Sequence, residues 1–128
     1  MKLKKIHHVA VICTDYEKSK DFYINVLGLE VISEIYREDR GSYKLDLAVG
    51  NHCQIEIFSF PDAPERLTYP EAAGLRHLAF EVEDVPSSIT KLKAYGITVE
   101  PLRYDPLTKK QFTFFTDPDG LPIELYEA

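Results

Sequence analysis

The sequence of 128 residues predicts an α+β fold made of two copies of one βαβββ module. Two apolar segments typical of strands each carry a histidine near their start, at His8 and His77, and an aspartate seven residues later. Each segment is followed by a helical pattern that ends at a glycine, and much later by a strand that contains a glutamate. Glu56 lies 48 positions after His8, and Glu124 lies 47 positions after His77. Such internal self-similarity indicates a repeated structural unit with one histidine and one glutamate in each copy.

The first module covers about residues 5–60. Asp15 is a good N-cap for a helix whose apolar residues recur with i, i+3, i+4 spacing, and Gly28 supplies the left-handed residue that ends it. The strand Ile6–Cys13 is rich in β-branched residues and is expected to be buried on both faces. The remaining predicted elements are the helix Tyr16–Leu27 and the strands Leu29–Tyr36, Tyr43–Val49 and His52–Phe60.

The second module covers about residues 75–127 and follows a proline-containing linker, residues 61–74, so that the whole chain, 1–128, forms a single domain. Asp84 caps its helix and Gly96 ends it. The D-P-D-G sequence at 117–120 is typical of a hairpin turn. The module begins at Leu75. Its predicted strands are Arg76–Asp84, Ile97–Arg103, Gln111–Thr116 and Leu121–Tyr126.

Composition excludes several classes of function. A net charge of −6 argues against a nucleic-acid partner, because phosphate binding needs a clustered cationic surface. No apolar run approaches the roughly 20 residues that cross a bilayer, so no membrane association is expected. The N-terminus lacks the apolar core of a signal peptide, which favours the cytoplasm. Cys13 and Cys53 are out of phase with His8 and Glu56, and we expect both to be packing thiols.

The two histidines and two glutamates form a candidate metal site. A carboxylate among apolar strand residues is costly to bury unless it is paired or binds a metal, and Glu56 and Glu124 both have such neighbours. Two imidazoles and two carboxylates suit zinc, nickel, cobalt, manganese or ferrous iron with room for substrate. Each residue taken alone has a simpler interpretation as a polar side chain on a solvent-facing strand. The recurrence at matching offsets favours a shared site.

Four motifs resemble the vicinal oxygen chelate superfamily, and most of all its glyoxalase I branch, the lactoylglutathione lyases. These are H-H-V-A-V at His7, S-K-D-F-Y-I-N-V-L-G from Ser19, L-R-H-L-A-F from Leu75 and D-P-D-G-L-P-I-E-L from Asp117. The resemblance implies that the two modules curl a mixed sheet around a divalent metal, with zinc or nickel foremost and cobalt, manganese or iron as alternatives. It assigns the metal ligands to His8, Glu56, His77 and Glu124, and it implies a homodimer, with the site built within one chain or across two.

The resemblance also implies proton transfer next to a carbonyl. In that reaction the hemithioacetal of a 2-oxoaldehyde binds the metal through adjacent oxygens and becomes a 2-hydroxyacyl thioester. Glu124 is the expected base, and Glu56 can share the role. The alternatives are a ferrous dioxygenase, a thiol or epoxide transferase, and a non-catalytic module that binds a small molecule.

The sequence motifs do not define the substrate. Ile12 and Phe60 stand where glutathione-dependent relatives are expected to have an arginine and an asparagine, so the thiol is undefined. His7 is out of phase with His8, and His52 lies in a turn, so neither is expected to bind the metal. Several cationic residues are candidates for an anionic substrate, with solvated surface charge as the simpler interpretation: Arg37, Arg40, Lys44, Arg103, Lys109 and Lys110.

Overall fold

The computed structural model describes all 128 residues and divides into two compact units, Met1–Glu65 and Arg66–Ala128. Each unit contains one four-stranded mixed sheet, and the order of strands in the second sheet repeats the order in the first. The predicted α+β class with a repeated module is therefore confirmed. No helix has both the length and the apolar character needed to span a membrane.

The elements of the first unit, in chain order, are β1 (His8–Cys13), α1 (Tyr16–Asp21), β2 (Glu30–Arg37), β3 (Ser42–Val49) and β4 (Cys53–Ser59). The strand order in the sheet is β1-β4-β3-β2, in which β1 pairs with β4 in parallel and the other neighbours are antiparallel. A short 3₁₀ helix, Glu38–Arg40, connects β2 to β3.

The first helix begins as predicted but changes its geometry in the middle. Asp15 accepts a hydrogen bond from the backbone N–H of Lys18 at 3.2 Å and so caps α1. The chain then widens into a π-helical segment, Phe22–Val26, instead of continuing as an α-helix to Leu27. The wider turn allows the adjacent rings of Phe22 and Tyr23 to be buried together, with their centroids 5.1 Å apart. Gly28 ends the segment with φ of +73°, as the pattern predicted.

Strand β1 is buried on one face only, so the prediction of burial on both faces is wrong. Val11 and Cys13 are buried on one face, whereas Ile12 is 56% exposed on the other. Side chains alternate across a strand, and α1 packs on one side of the sheet, where it contacts β4. We call the opposite side of this sheet, which carries His8, Ala10 and Ile12, the ligand face. Cys13 points away from it, as its phase predicted.

The elements of the second unit are β5 (Leu78–Val82), α2 (Val85–Ala94), β6 (Arg103–Tyr104), β7 (Gln111–Thr116) and β8 (Pro122–Glu127). The strand order in the sheet is β5-β8-β7-β6, with β5 and β8 parallel. Asp84 caps α2 by accepting a hydrogen bond from the N–H of Ser87 at 2.8 Å, and Gly96 follows the helix with φ of +78°.

The predicted strand over residues 97–103 is wrong except at its last residue. Pro101 has no N–H to donate to a ladder. Glu100 attaches the segment to β7 instead. The N–H of Glu100 donates to the carbonyl of Phe114 at 2.9 Å, and the carbonyl of Glu100 accepts from Thr113 Oγ1 at 2.8 Å. One backbone bond and one side-chain bond thus replace the expected strand pairing.

The hairpin turn at 117–120 is confirmed, and its first residue stabilises it. Asp117 is 4% exposed, and its Oδ1 accepts from the backbone N–H groups of Asp119 and Leu121, both at 2.9 Å. These bonds satisfy two backbone donors in the turn that precedes β8. The acidic cluster therefore has a structural role in the turn.

Candidate metal centre

In the first unit, the parallel pairing of β1 and β4 brings a histidine and a glutamate together on the ligand face. Ala10 is the Cα partner of Glu56, which places that glutamate beside the residue two positions after His8. Strand alternation directs all three side chains to the same side of the sheet. Nε2 of His8 lies 3.4 Å from Oε2 of Glu56.

The second unit repeats this arrangement at the same register. Ala79 is the Cα partner of Glu124, and His77 lies two residues before Ala79, directly ahead of β5. Nε2 of His77 lies 3.2 Å from Oε2 of Glu124. We call the side of this sheet that carries His77, Ala79 and Glu124 the ligand face of the second unit.

Burial of the two pairs is closely matched. The side chains of Glu56 and Glu124 are only 14% and 15% exposed, and those of His8 and His77 are 43% and 34% exposed. A largely buried carboxylate needs a cation or hydrogen-bond donors to offset its lost hydration. Imidazole nitrogen and carboxylate oxygen are also the donor types that zinc and related divalent metals bind, so the residues fit such an ion.

The structure brings each histidine together with the glutamate of its own module, and each pair offers two donors. No group of three or more histidine, cysteine or acidic residues has the geometry of a complete metal-binding cluster. A four-ligand site therefore requires both pairs. The assignment of all four residues to one metal remains a prediction.

A cationic residue distinguishes the first pair from the second. Lys44 on β3 lies 2.8 Å from Oδ1 of Asp46 and 3.4 Å from Oε1 of Glu56. The hydrogen bond to Asp46, with a smaller contribution from Glu56, raises the pKa of Lys44 above its ordinary value. Asp46 also accepts from Ser33 Oγ at 3.0 Å. Asp46 was not identified from the sequence, although it lies two positions after Lys44 and therefore on the same face of the strand.

In the second unit the position that corresponds to Asp46 is occupied by an aromatic residue, Phe114. Phe114 is the Cα partner of Glu124, as Asp46 is of Glu56. The ring of Phe114 meets the imidazole of His77 edge-on, with centroids 5.1 Å apart. Glu124 thus lies beside an apolar surface, whereas Glu56 lies beside a charged network.

Of the two other histidines, one lies in a turn and one next to His8, and the imidazole of His7 contacts that of His8 although the two residues are out of phase. His7 lies outside β1, and its Nδ1 is 2.9 Å from Nδ1 of His8. His52 is exposed in the turn between β3 and β4. Neither belongs to a His–Glu pair like those of His8 and His77.

The candidate cationic residues have different surroundings. The guanidinium of Arg37 lies over the rings of Phe58 and Phe60, 4.9 and 5.6 Å from their centroids, and donates to Ser42. Arg103 has the same relation to Phe112 and Phe114. Arg40 and Lys109 are exposed. Arg37 and Arg103 are therefore the arginines of the set that lie over aromatic rings.

Comparison with known proteins identifies the family of the chain. Residues 5–125 match the model of the Glyoxalase/Bleomycin resistance protein/Dioxygenase superfamily. The uncharacterized protein YwkD of Bacillus subtilis is 63% identical over 99% of both chains, and the uncharacterized protein YaeR of Escherichia coli is 54% identical over 98% of this chain and 97% of its own. The structure of a glyoxalase family protein from Enterococcus faecalis superposes with a TM-score of 0.91 at 50% identity, covering 99% of this chain and all of the other.

The chain therefore belongs to the Glyoxalase/Bleomycin resistance protein/Dioxygenase superfamily. More distant relatives carry the names of enzymes. A probable lactoylglutathione lyase of Vibrio cholerae is 27% identical over 128 aligned residues, and the mitochondrial methylmalonyl-CoA epimerase of Bos taurus is 31% identical over 76% of this chain and 57% of its own.

Proposed function

We propose that the protein is a metal-dependent lyase or isomerase of the glyoxalase I type, which moves a proton between the two carbons of a hemithioacetal. The observation that carries this proposal is the matched pair of His–Glu contacts, 3.4 Å in the first unit and 3.2 Å in the second. The same register and the similar burial of the two pairs support a site built from two similar halves.

In this proposal His8, Glu56, His77 and Glu124 hold one divalent metal, zinc or nickel by preference, contributed by one chain or by two copies in a homodimer. The ion supplies Lewis acidity at the carbonyl oxygen, which makes the neighbouring C–H acidic. Each imidazole would supply one ring nitrogen to the metal, and its Nε2 already faces the carboxylate of its own pair.

Glu124 is the proposed base. Its carboxylate removes the C–H proton from the hemithioacetal carbon and returns a proton to the neighbouring ketone carbon, while the hydroxyl proton passes from the first oxygen to the second. The hemithioacetal carbon becomes the thioester carbonyl and the ketone carbon becomes a secondary alcohol, with no net redox change. Its neighbour Phe114 offers no competing cation, whereas Glu56 is held by Lys44. This difference favours Glu124 as the mobile carboxylate and Glu56 as the fixed one.

Hemithioacetal isomerisation by metal-loaded protein tests the proposal. Metal-free protein is reloaded with zinc, nickel, cobalt or manganese and assayed with methylglyoxal together with glutathione or another low-molecular-weight thiol. Several thiols are needed because Ile12 and Phe60 stand where glutathione-dependent relatives are expected to have an arginine and an asparagine. Ile12 is a half-exposed apolar residue, and Phe60 lies beneath Arg37. Turnover that requires metal and is lost in Glu124→Gln is expected. Full activity in Glu124→Gln or in metal-free protein would contradict the proposal.

A second candidate uses the same proton transfer without a thiol. Relatives named epimerases are 27% and 31% identical to this chain, and an epimerase also removes and returns a proton next to a carbonyl. Wash-in of solvent deuterium at the carbon next to a carbonyl, without thioester formation, would favour this reaction. Dioxygenase and binding-module alternatives predict no deuterium exchange.

A further inference from the structure

We infer that the substrate carries an oxoanion group, a carboxylate or a phosphate, and that Arg76 and Arg103 bind it in a cavity of the second unit beside His77. This inference rests on the proposed function, because it names the substrate class of the same site. The cavity has a volume of about 970 Å³, near the top of the range of roughly 300–1,000 Å³ that small-molecule sites occupy.

The position of the cavity relates it to the second His–Glu pair. His77 and Phe114 both line it, and these two rings are in edge-on contact. Pro122, two residues before Glu124 on β8, lines it as well. A molecule whose reacting carbons lie at His77 and Glu124 therefore has space for its remaining atoms in this cavity.

The charge of the lining favours an anion. Three arginines line the cavity, Arg66, Arg76 and Arg103, against two carboxylates, Glu100 and Asp119. This is a local cationic excess in a protein whose net charge is −6. The excess is notable because the chain as a whole carries a net negative charge, which repels anions.

Arg66 has a structural role in the lining. Its guanidinium donates to Thr68 Oγ1 at 3.1 Å and to the backbone carbonyls of Leu75 and Arg76 at 2.5 and 3.1 Å. These bonds fix the backbone directly before His77. Arg66 therefore positions Arg76, and its Nε and Nη2 donors are used within the protein.

Arg76 retains donors for a ligand. Its guanidinium lies over the ring of Tyr69 at 5.3 Å from the centroid, and its ion-pair contact with Glu71 is long, 3.7 Å. The side chain is 47% exposed. A planar guanidinium supported on one side by an aromatic ring can present two N–H groups to a carboxylate or phosphate.

Arg103 is oriented more firmly. It lies over Phe112 and Phe114, and one of its nitrogens is 3.1 Å from Oε2 of Glu100. The contact with Glu100 uses Nη2 and leaves other N–H groups of the five-donor guanidinium. Because Phe114 contacts both Arg103 and His77, a single ring separates this cation from the proposed metal ligand.

Anion binding to the full-length protein tests this inference. Malonate and inorganic phosphate are titrated into the ¹⁵N-labelled protein, with malonamide as the neutral analogue of malonate. We expect one or both anions, but not malonamide, to shift the backbone amides of His77, Phe114 and Thr116. Binding by malonate alone would identify a carboxylate, and binding by phosphate alone a phosphate.

Arg76→Gln and Arg103→Gln should each weaken anion binding about tenfold or more, since each removes a charge-assisted hydrogen bond. Arg103→Lys keeps the charge and the packed side chain and should give an intermediate loss. Arg40→Gln is the matched control, because Arg40 lies in the first unit, is exposed and is outside the cavity. The inference is overturned if neither anion shifts these amides, or if Arg40→Gln weakens binding as much as the cavity variants.

Metal content measured on the same samples separates the two proposals. Stoichiometric metal binding without anion binding would reject the oxoanion pocket and leave the lyase proposal intact. Anion binding without metal binding would retain the pocket and reject the metal-dependent reaction.

Discussion

Lys44 Nζ lies 3.4 Å from Oε1 of Glu56 and 2.8 Å from Oδ1 of Asp46. Asp46 is the Cα partner of Glu56 on the neighbouring strand, so Lys44 places a cation between two carboxylates. Like charges directly opposite each other on a sheet face are destabilising. Lys44 therefore holds Glu56 in place while no metal is bound.

Lys44→Met should lower the free energy of unfolding of the metal-free protein by about 1 kcal/mol, because it leaves Asp46 and Glu56 facing each other. The loss should shrink when a divalent metal is added, since the metal supplies the missing positive charge. Chemical denaturation with and without zinc measures both values. Lys18→Met, at an exposed lysine whose contact with Asp15 is 3.9 Å, is the control. An equal loss with and without zinc would refute the role assigned to Lys44.

His8→Ala and His77→Ala should each weaken metal binding by more than about tenfold, since the loss of even an outer-shell partner costs 10–100-fold. Competition with a chromophoric chelator gives the affinity. The thermal stabilisation produced by metal should fall in parallel, because a ligand that binds only the folded state stabilises it according to its affinity. His52→Ala, in an exposed turn, should bind metal normally. A loss in His52→Ala as large as in His77→Ala would argue against the assignment of the ligands.

Asp117→Ala should destabilise the second unit by about 1–3 kcal/mol, because it removes the acceptor of one buried and one partly buried backbone N–H group in the hairpin turn. Thermal or urea unfolding measures the effect. Asp39→Ala is the comparison variant, since Asp39 is 82% exposed and its contact with Arg40 is long, 4.0 Å. Metal affinity should not change in Asp117→Ala if the residue acts only on the turn, as its hydrogen bonds indicate.

Glu34 should give the protein a stability that depends on acidic pH. Lys20 Nζ lies 2.7 Å from its carboxylate and Tyr16 donates to it, and these hydrogen bonds, from Lys20 foremost, lower the pKa of Glu34 below the ordinary value. With the folded-state pKa below the unfolded-state pKa, the unfolded chain binds the proton first as pH falls. The contribution of Glu34 is therefore present above the ordinary glutamate pKa and is lost as pH falls through the folded-state value.

Denaturation at several pH values between about 6 and 3 measures this dependence. Because the carboxylate is about one-third exposed, the effect should stay below about 1 kcal/mol. Glu34→Gln should show a flatter profile, with the remaining slope supplied in part by Asp105, whose pKa is lowered by the backbone N–H of Leu107 and by Tyr126. An unchanged slope in Glu34→Gln would contradict the assignment.

Much of the fold could be predicted from the sequence because its signals are local and occur twice. Asp15 and Asp84 cap helices, and Gly28 and Gly96 follow them with positive φ, because these functions depend on residues only a few positions apart. The limits of β7 were predicted correctly for the same reason. Predictions failed where non-local packing decides the geometry, as in the π-helical turn that buries Phe22 and Tyr23 together.

The sequence by itself determined that His8 belongs with Glu56 and His77 with Glu124, since strand alternation and equal spacing put each pair on one side of its sheet. Only the tertiary structure decided what surrounds the pairs. Lys44 and Asp46 meet Glu56, and Phe114 meets Glu124, because of cross-strand register, which sequence spacing does not fix. The arginine-lined cavity likewise arises from segments as distant as Arg66 and Pro122, which only the packed chain brings together.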